Sequence, residues 1–113
     1  ETCVIRANKE QLRQVFNNLI KNALQASKND TEITISLRIR DFKSIVEIAD
    51  QGSGISEALR DKVFQPNFTT KSSGMGLGLA ITKNIITSLG GEIYFETSNA
   101  GTTFYIELPL KDK

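Results

Sequence analysis

The chain has 113 residues, 39% of them apolar and 24% charged, enough for one domain with its own core and no metal or disulfide staple. Its 14 basic and 13 acidic side chains nearly cancel, so the charge offers no footing for a strongly basic nucleic-acid-binding face. A single cysteine, Cys3, excludes an internal disulfide framework and fits a reducing compartment, and with no histidine any chemistry needing an imidazole must borrow it from another chain or domain.

No apolar run approaches the length that spans a bilayer, and no signal peptide is visible. There is no internal repeat or linker, so residues 1–113 read as one domain. The chain opens inside an apparent strand, "TCVIR", which suggests excision from a longer protein. Residues 8–27 predict an amphipathic helix, because Leu12, Val15, Phe16, Leu19, Ile20, Ala23 and Leu24 recur at three-and-one spacing. Asn8 followed by Gln11 resembles a capping box, and "SKND" ends the helix. Residues 33–39, "ITISLRI", alternate strictly and predict a half-buried strand; after the turn "RDFK", "SIVEIAD" predicts its hairpin partner. A short helix is expected from Ser56 to Phe64, broken by Pro66. A third helix opens in the glycine run and stops at Gly90 and Gly91, where a left-handed cap is easy. Strands "EIYFET" and "TFYIELP" flank the turn "SNAG". The order α-β-β-α-α-β-β implies an α+β fold, a two-layer sandwich with a mixed, mainly antiparallel sheet and its helices on one face.

Four clusters carry possible chemistry. Between residues 68 and 81 the run "FTTKSSGMGLGLAI" places Gly74, Gly76 and Gly78 at the start of a helix. It matches neither the dinucleotide-binding nor the P-loop spacing. It reads either as a flexible surface loop or as a phosphate cradle whose amides and helix dipole face an anion, with Thr69, Thr70 and Lys71 just upstream. Asn18 and Asn22, four apart, share one helical edge beside Val15. They form either a solvated face or a pair of neutral oxygen ligands suited to Mg²⁺, which takes few protein oxygens alongside phosphates and water. In "DQGSG", Asp50 has the parity of Val46 and Ile48 and points into their layer. It either forms a turn with an exposed side chain or meets a ligand amino group that offsets its burial. In "NAGTTF", Thr102 follows an ordinary hairpin turn and gains interest only as a hydroxyl near a base pocket.

Taken in order and spacing, these clusters resemble the catalytic ATP-binding domain of bacterial sensor histidine kinases, in a superfamily shared with gyrase B, Hsp90 and MutL. "NNLIKNA" is similar to the N box, "DQGSGI" to the G1 box, "VFQPNFTTK" to the F box and "GMGLGLAI" to the G2 box. The phrase "PNFTTKSSGMGLGLAI" resembles the nitrogen-regulation type, with a short lid. The resemblance implies ATP and Mg²⁺ as ligands, with Asn22 on the metal and Asn18 beside metal and phosphates. It implies that Asp50 reads the adenine amino group, that Gly52, Gly54 and Ile55 shape the base site, and that Thr102 supports the adenine contact. Phe64 and Phe68 would anchor the lid, Thr70 and Lys71 would approach the phosphates, and the amides of Gly74, Gly76, Leu77 and Gly78 would cradle them. Two positions depart from the pattern: Ala26 stands where many such kinases carry an aromatic residue, and Gln25 where they carry a basic one.

In the hydrolytic branches of that superfamily a glutamate one turn before the magnesium-binding asparagine activates water. Here that position is Asn18, whose amide takes no proton near neutral pH. The resemblance therefore implies a kinase that keeps ATP for a histidine on a separate dimerisation domain of the same protein. It also implies a response regulator downstream, no nucleic-acid partner, a monomeric fragment of a homodimeric parent, a cytoplasmic location, and no autophosphorylation by the fragment alone. An anti-sigma-type serine kinase and a nucleotide-gated binding module are the alternatives at this stage.

Overall fold

Helix α1 (Lys9–Ala26) starts where Asn8 caps it: the Asn8 Oδ1 accepts the N–H groups of Glu10 (2.9 Å) and Gln11 (3.1 Å). That satisfies two of the donors that a helix N-terminus leaves without a partner. The structure, a computed structural model, describes residues 7–27, 31–65 and 75–110, with residues 75–78 as backbone only. Val15, Leu19 and Ala23, spaced by four, form the buried line of α1, flanked by the half-buried Leu12, Phe16 and Ile20. Leu24 lies one step of about 100° round from Ala23 and stays exposed.

Strands β1 (Thr34–Arg40) and β2 (Lys43–Ala49) form an antiparallel hairpin with Arg40 opposite Lys43, so the turn is only Asp41 and Phe42. Both turn residues have positive φ, 55° and 64°, as a right-twisted two-residue turn requires, although neither is glycine. A single 3₁₀ stretch (Glu57–Lys62) stands where the short helix is expected. Helix α2 (Met75–Ser88) ends in a Schellman motif. The Gly91 N–H reaches the Ile86 carbonyl (2.9 Å), the Gly90 N–H reaches that of Thr87 (3.0 Å), and Gly90 supplies the left-handed φ of 81°. Strands β3 (Glu92–Ser98) and β4 (Gly101–Pro109) pair antiparallel, and β4 also pairs with β2.

The sheet order is β1-β2-β4-β3, antiparallel throughout the described residues, with α1 and α2 on one face. The α+β two-layer architecture expected from the sequence is therefore present. On the covered face Ile48, Phe104, Ile106, Leu108 and Ile93 meet Val15, Leu19, Ile85 and Ile86. Each such side chain contributes roughly 1.5–3 kcal/mol by leaving water.

A further expectation fails. Strand β1 is exposed along its whole length, although its alternation predicts a half-buried strand. Ile35, Leu37 and Ile39 do point to the covered face, opposite Ile48, Val46 and Ser44, yet remain 55%, 56% and 36% exposed. The helices rest on β2 and β3 and on each other, so the edge strand projects beyond their footprint. Alternation sets which side a residue takes, not whether anything covers that side.

Candidate functional site

The apolar inner face of the sheet turns polar at one end. Down β4 it runs Leu108, Ile106, Phe104 and then Thr102; down β2 it runs Val46, Ile48 and then Asp50. Asp50 is 7% exposed and Thr102 5%. The Asp50 Oδ1 accepts the backbone N–H groups of Gly52 (2.9 Å) and Thr102 (3.2 Å), and the Asp50 N–H donates to the Thr102 carbonyl (2.9 Å). A buried carboxylate is tolerated when donors reach it, and here the backbone supplies two. Both go to the same oxygen. Among the described residues none donates to the other, Oδ2. Asp50 does form the Asp-x-Gly turn, through the Gly52 N–H, but its side chain is buried rather than exposed.

Gly52 and Gly54 are needed for close approach of the chain to itself. A Cβ on Gly52 would stand 2.3 Å from the Ala26 carbonyl oxygen, so only glycine lets this loop touch the end of α1. Gly54 has a φ of 86°, and a Cβ there would stand 2.1 Å from the Ser98 carbonyl oxygen on the β3–β4 hairpin. Ile55, half-buried, donates its N–H to the Thr97 Oγ1 (2.9 Å), and Thr97 Oγ1 lies 2.8 Å from the Thr102 Oγ1. Loop, hairpin and carboxylate thus form one hydrogen-bonded unit. Thr97 is the member that sequence reasoning missed. The signal was available, since a threonine directly opposite Thr102 across a two-residue turn is a cross-strand pair.

On α1, Asn18 and Asn22 are both half-buried on neighbouring turns. Asn18 Nδ2 donates to the Thr82 Oγ1 of α2 (3.2 Å), where Thr82 is fully buried, so the asparagine face is stapled to the second helix. Phe64 is seated on the sheet, its ring 6.0 Å from Phe95 and 6.1 Å from Phe104, with the Lys83 ammonium 5.4 Å over it. Phe68, Thr70, Lys71, Gly74 and the expected short lid lie outside the described residues. Gly76, Leu77 and Gly78 fall in the first turn of α2, where backbone N–H groups have no acceptor within the helix.

Among the described residues no cluster of three or more His, Cys, Asp or Glu side chains could hold a metal. The oxygen donors on the α1 edge are neutral amides, a set that suits Mg²⁺ only when phosphates and water complete its shell. No helix of the described residues is long and apolar enough to cross a membrane.

Comparison with known proteins bears on the family and the fold. Residues 7–112 match the family described as histidine kinase-, DNA gyrase B-, and HSP90-like ATPase. The chain is 37% identical over 108 residues to sporulation kinase D of Bacillus subtilis, covering 95% of this chain and 21% of that protein. It is 39% identical over 112 residues to the signal transduction histidine-protein kinase AtoS of Escherichia coli, covering 97% and 18%. It thus spans about a fifth of the length of these relatives. Among solved structures it is similar to the catalytic domain of histidine kinase ThkA, with a TM-score of 0.84 and 37% identity, covering 93% of this chain and 70% of that one. It is also similar to the mycobacterial sensor histidine kinase MprB, with a TM-score of 0.86 and 27% identity over 96% and 78% of the two chains.

Proposed function

The chain belongs to the histidine kinase-, DNA gyrase B-, and HSP90-like ATPase family, and from that membership we propose that it binds Mg-ATP and donates the γ-phosphate to a histidine on a separate dimerisation domain of its parent protein. The observation that carries the adenine part is Asp50, buried and held by two amides on one oxygen, so that Oδ2 is the atom that meets the exocyclic amine. A carboxylate accepts from an amine and repels a carbonyl, which selects adenine over guanine. Asn22 and Asn18 present amides on the helix facing the phosphate end, and Asn22 would hold Mg²⁺ through its oxygen. Magnesium, when bound, neutralises phosphate charge. Lys71 and the first-turn amides of α2 would take the remaining phosphate oxygens. Asn18 cannot act as a general base on water, and its amide is tied to Thr82, so ATP is kept for a protein nucleophile. The chain itself has no histidine to receive the phosphoryl group. The phosphoacceptor domain, a downstream response regulator, a homodimeric parent and a cytoplasmic site of action complete the reading.

Calorimetry and phosphoryl transfer test it together. The folded fragment should bind ADP with an affinity that rises with Mg²⁺. Asp50→Asn should weaken binding about 10- to 100-fold, the loss of one charge-assisted hydrogen bond. Asn22→Ala should remove the Mg²⁺ dependence. Labelled phosphate should appear on an added histidine-bearing helical hairpin and not on the fragment alone. Unchanged affinity in both variants defeats the reading.

A further inference from the structure

We propose that Thr97 is a positioning residue for nucleotide selection: it holds the Thr102 hydroxyl so that its proton can be donated to the ring nitrogen beside the amine that Asp50 accepts. The proposal rests on the reading of Asp50 as the adenine contact.

The argument turns on where the hydroxyl protons go. The Ile55 N–H can only donate, so its 2.9 Å bond occupies one lone pair of Thr97 Oγ1. Thr97 has one proton left and two places to send it, Thr102 Oγ1 at 2.8 Å or the Gly101 carbonyl at 3.4 Å. The first distance is that of a full O–H···O bond; the second lies outside the usual range. With the proton on the short bond, Thr102 accepts from Thr97 and its own proton is turned away from the pair. A donor chain then runs from the Ile55 amide through Thr97 to Thr102 and out to a ligand acceptor. Without a ligand the pair can reverse, Thr102 donating to Thr97 and Thr97 to the Gly101 carbonyl. Releasing that reversed state sacrifices only the 3.4 Å contact, so presenting the proton is easy.

Placement supports the same conclusion. Thr97 and Thr102 face each other across the hairpin on the inner side of the sheet, and the next inner pair along is Phe95 and Phe104. Polarity therefore begins at the level of Asp50, whose Oδ1 accepts from the backbone N–H of Thr102 itself. The amine acceptor and the proton donor are mounted on one residue pair, side by side, matching an amine with a ring nitrogen next to it. The glycine loop also closes on Thr97, since a Cβ at Gly54 would stand 3.0 Å from its Oγ1. A purely structural threonine would support that loop but would not affect discrimination among bases.

The probes are ADP and its 1-deaza and 7-deaza analogues, each lacking one ring nitrogen that flanks the amine. The wild-type chain should bind one analogue about tenfold more weakly than ADP. Thr97→Val and Thr97→Ala should bind ADP about tenfold more weakly and no longer discriminate against that analogue. Thr97→Ser should keep both properties. Thr102→Val should reproduce the loss, and adding Thr97→Val to it should cost nothing further, as expected for residues acting in series. The proposal is overturned if the Thr97 variants keep the wild-type ratio, if Thr97→Ser loses it, or if wild type binds ADP yet discriminates against neither analogue. Failure of the underlying reading looks different, since then wild type binds no adenine nucleotide or Asp50→Asn leaves ADP affinity unchanged.

Discussion

At the scale of single residues, two glycines with nearly the same φ do different work. Gly90, at 81°, caps α2, and a Cβ there would meet nothing nearer than a Pro109 side-chain carbon at 3.7 Å. Gly54, at 86°, has the same backbone demand plus a carbonyl oxygen 2.1 Å from the hypothetical Cβ. Gly90→Ala should therefore cost about 1–2 kcal/mol, the left-handed penalty alone. Gly54→Ala should cost more than that, because the β3–β4 hairpin must also move. Urea midpoints of the two variants check the order, and equal shifts would show that the loop yields freely. The inward, buried placement of Asp50 was legible from its parity with Ile48. Its partners were not, because an N–H of Thr102, 52 residues away, depends on how β4 comes to lie beside β2.

At the scale of elements, helix α1 and the β3–β4 hairpin followed local pattern closely. A three-and-one stripe with an asparagine cap makes a helix almost regardless of context, and alternation around a two-residue turn makes a hairpin. The solvent face of that hairpin carries the chain's two tyrosines, Tyr94 and Tyr105, stacked with ring centroids 5.0 Å apart. The Tyr94 hydroxyl donates to Glu107, and this bond to a carboxylate, aided by partial desolvation and the Glu107 charge, pushes its pKa up to about 12. Tyr105 is raised for the same reason by Glu96. Because the folded-state pKa lies above the ordinary value of 10.0, the stabilisation is fully present below pH 10 and is lost as pH rises toward 12. Both rings are solvent-screened, so the effect on stability is small. The spectroscopic effect is not. Tyrosinate absorbance of the folded chain should titrate above pH 10, and Glu107→Ala should bring the Tyr94 step back toward 10. A wild-type midpoint at 10 would contradict the hydrogen bond.

At the scale of the whole molecule, the helix layer covers β2, β4 and β3 and leaves β1 outside, so equal-looking aliphatic residues have unequal weight. Ile106 is fully buried in the central strand β4, whereas Leu37 on β1 is 56% exposed. Ile106→Ala should cost about 2–5 kcal/mol, a large share of a typical domain's stability, while Leu37→Ala should cost less than about 1 kcal/mol. Denaturant unfolding decides it, and comparable losses would mean that β1 is covered in solution.

The sequence by itself determined the element order, the α+β class, the side each strand residue takes and the polar clusters of the candidate site. All of these follow from periods of 3.6 and 2 or from residue types within a few positions of one another. Only the tertiary structure decided that β1 lies uncovered, that Asn18 is tied to Thr82 64 residues on, and that Ile55 rests on Thr97 42 residues away. Such contacts have no local period. They depend on where helices stop over a sheet and which strand ends meet, and that is set by packing of the entire chain rather than by any stretch of it.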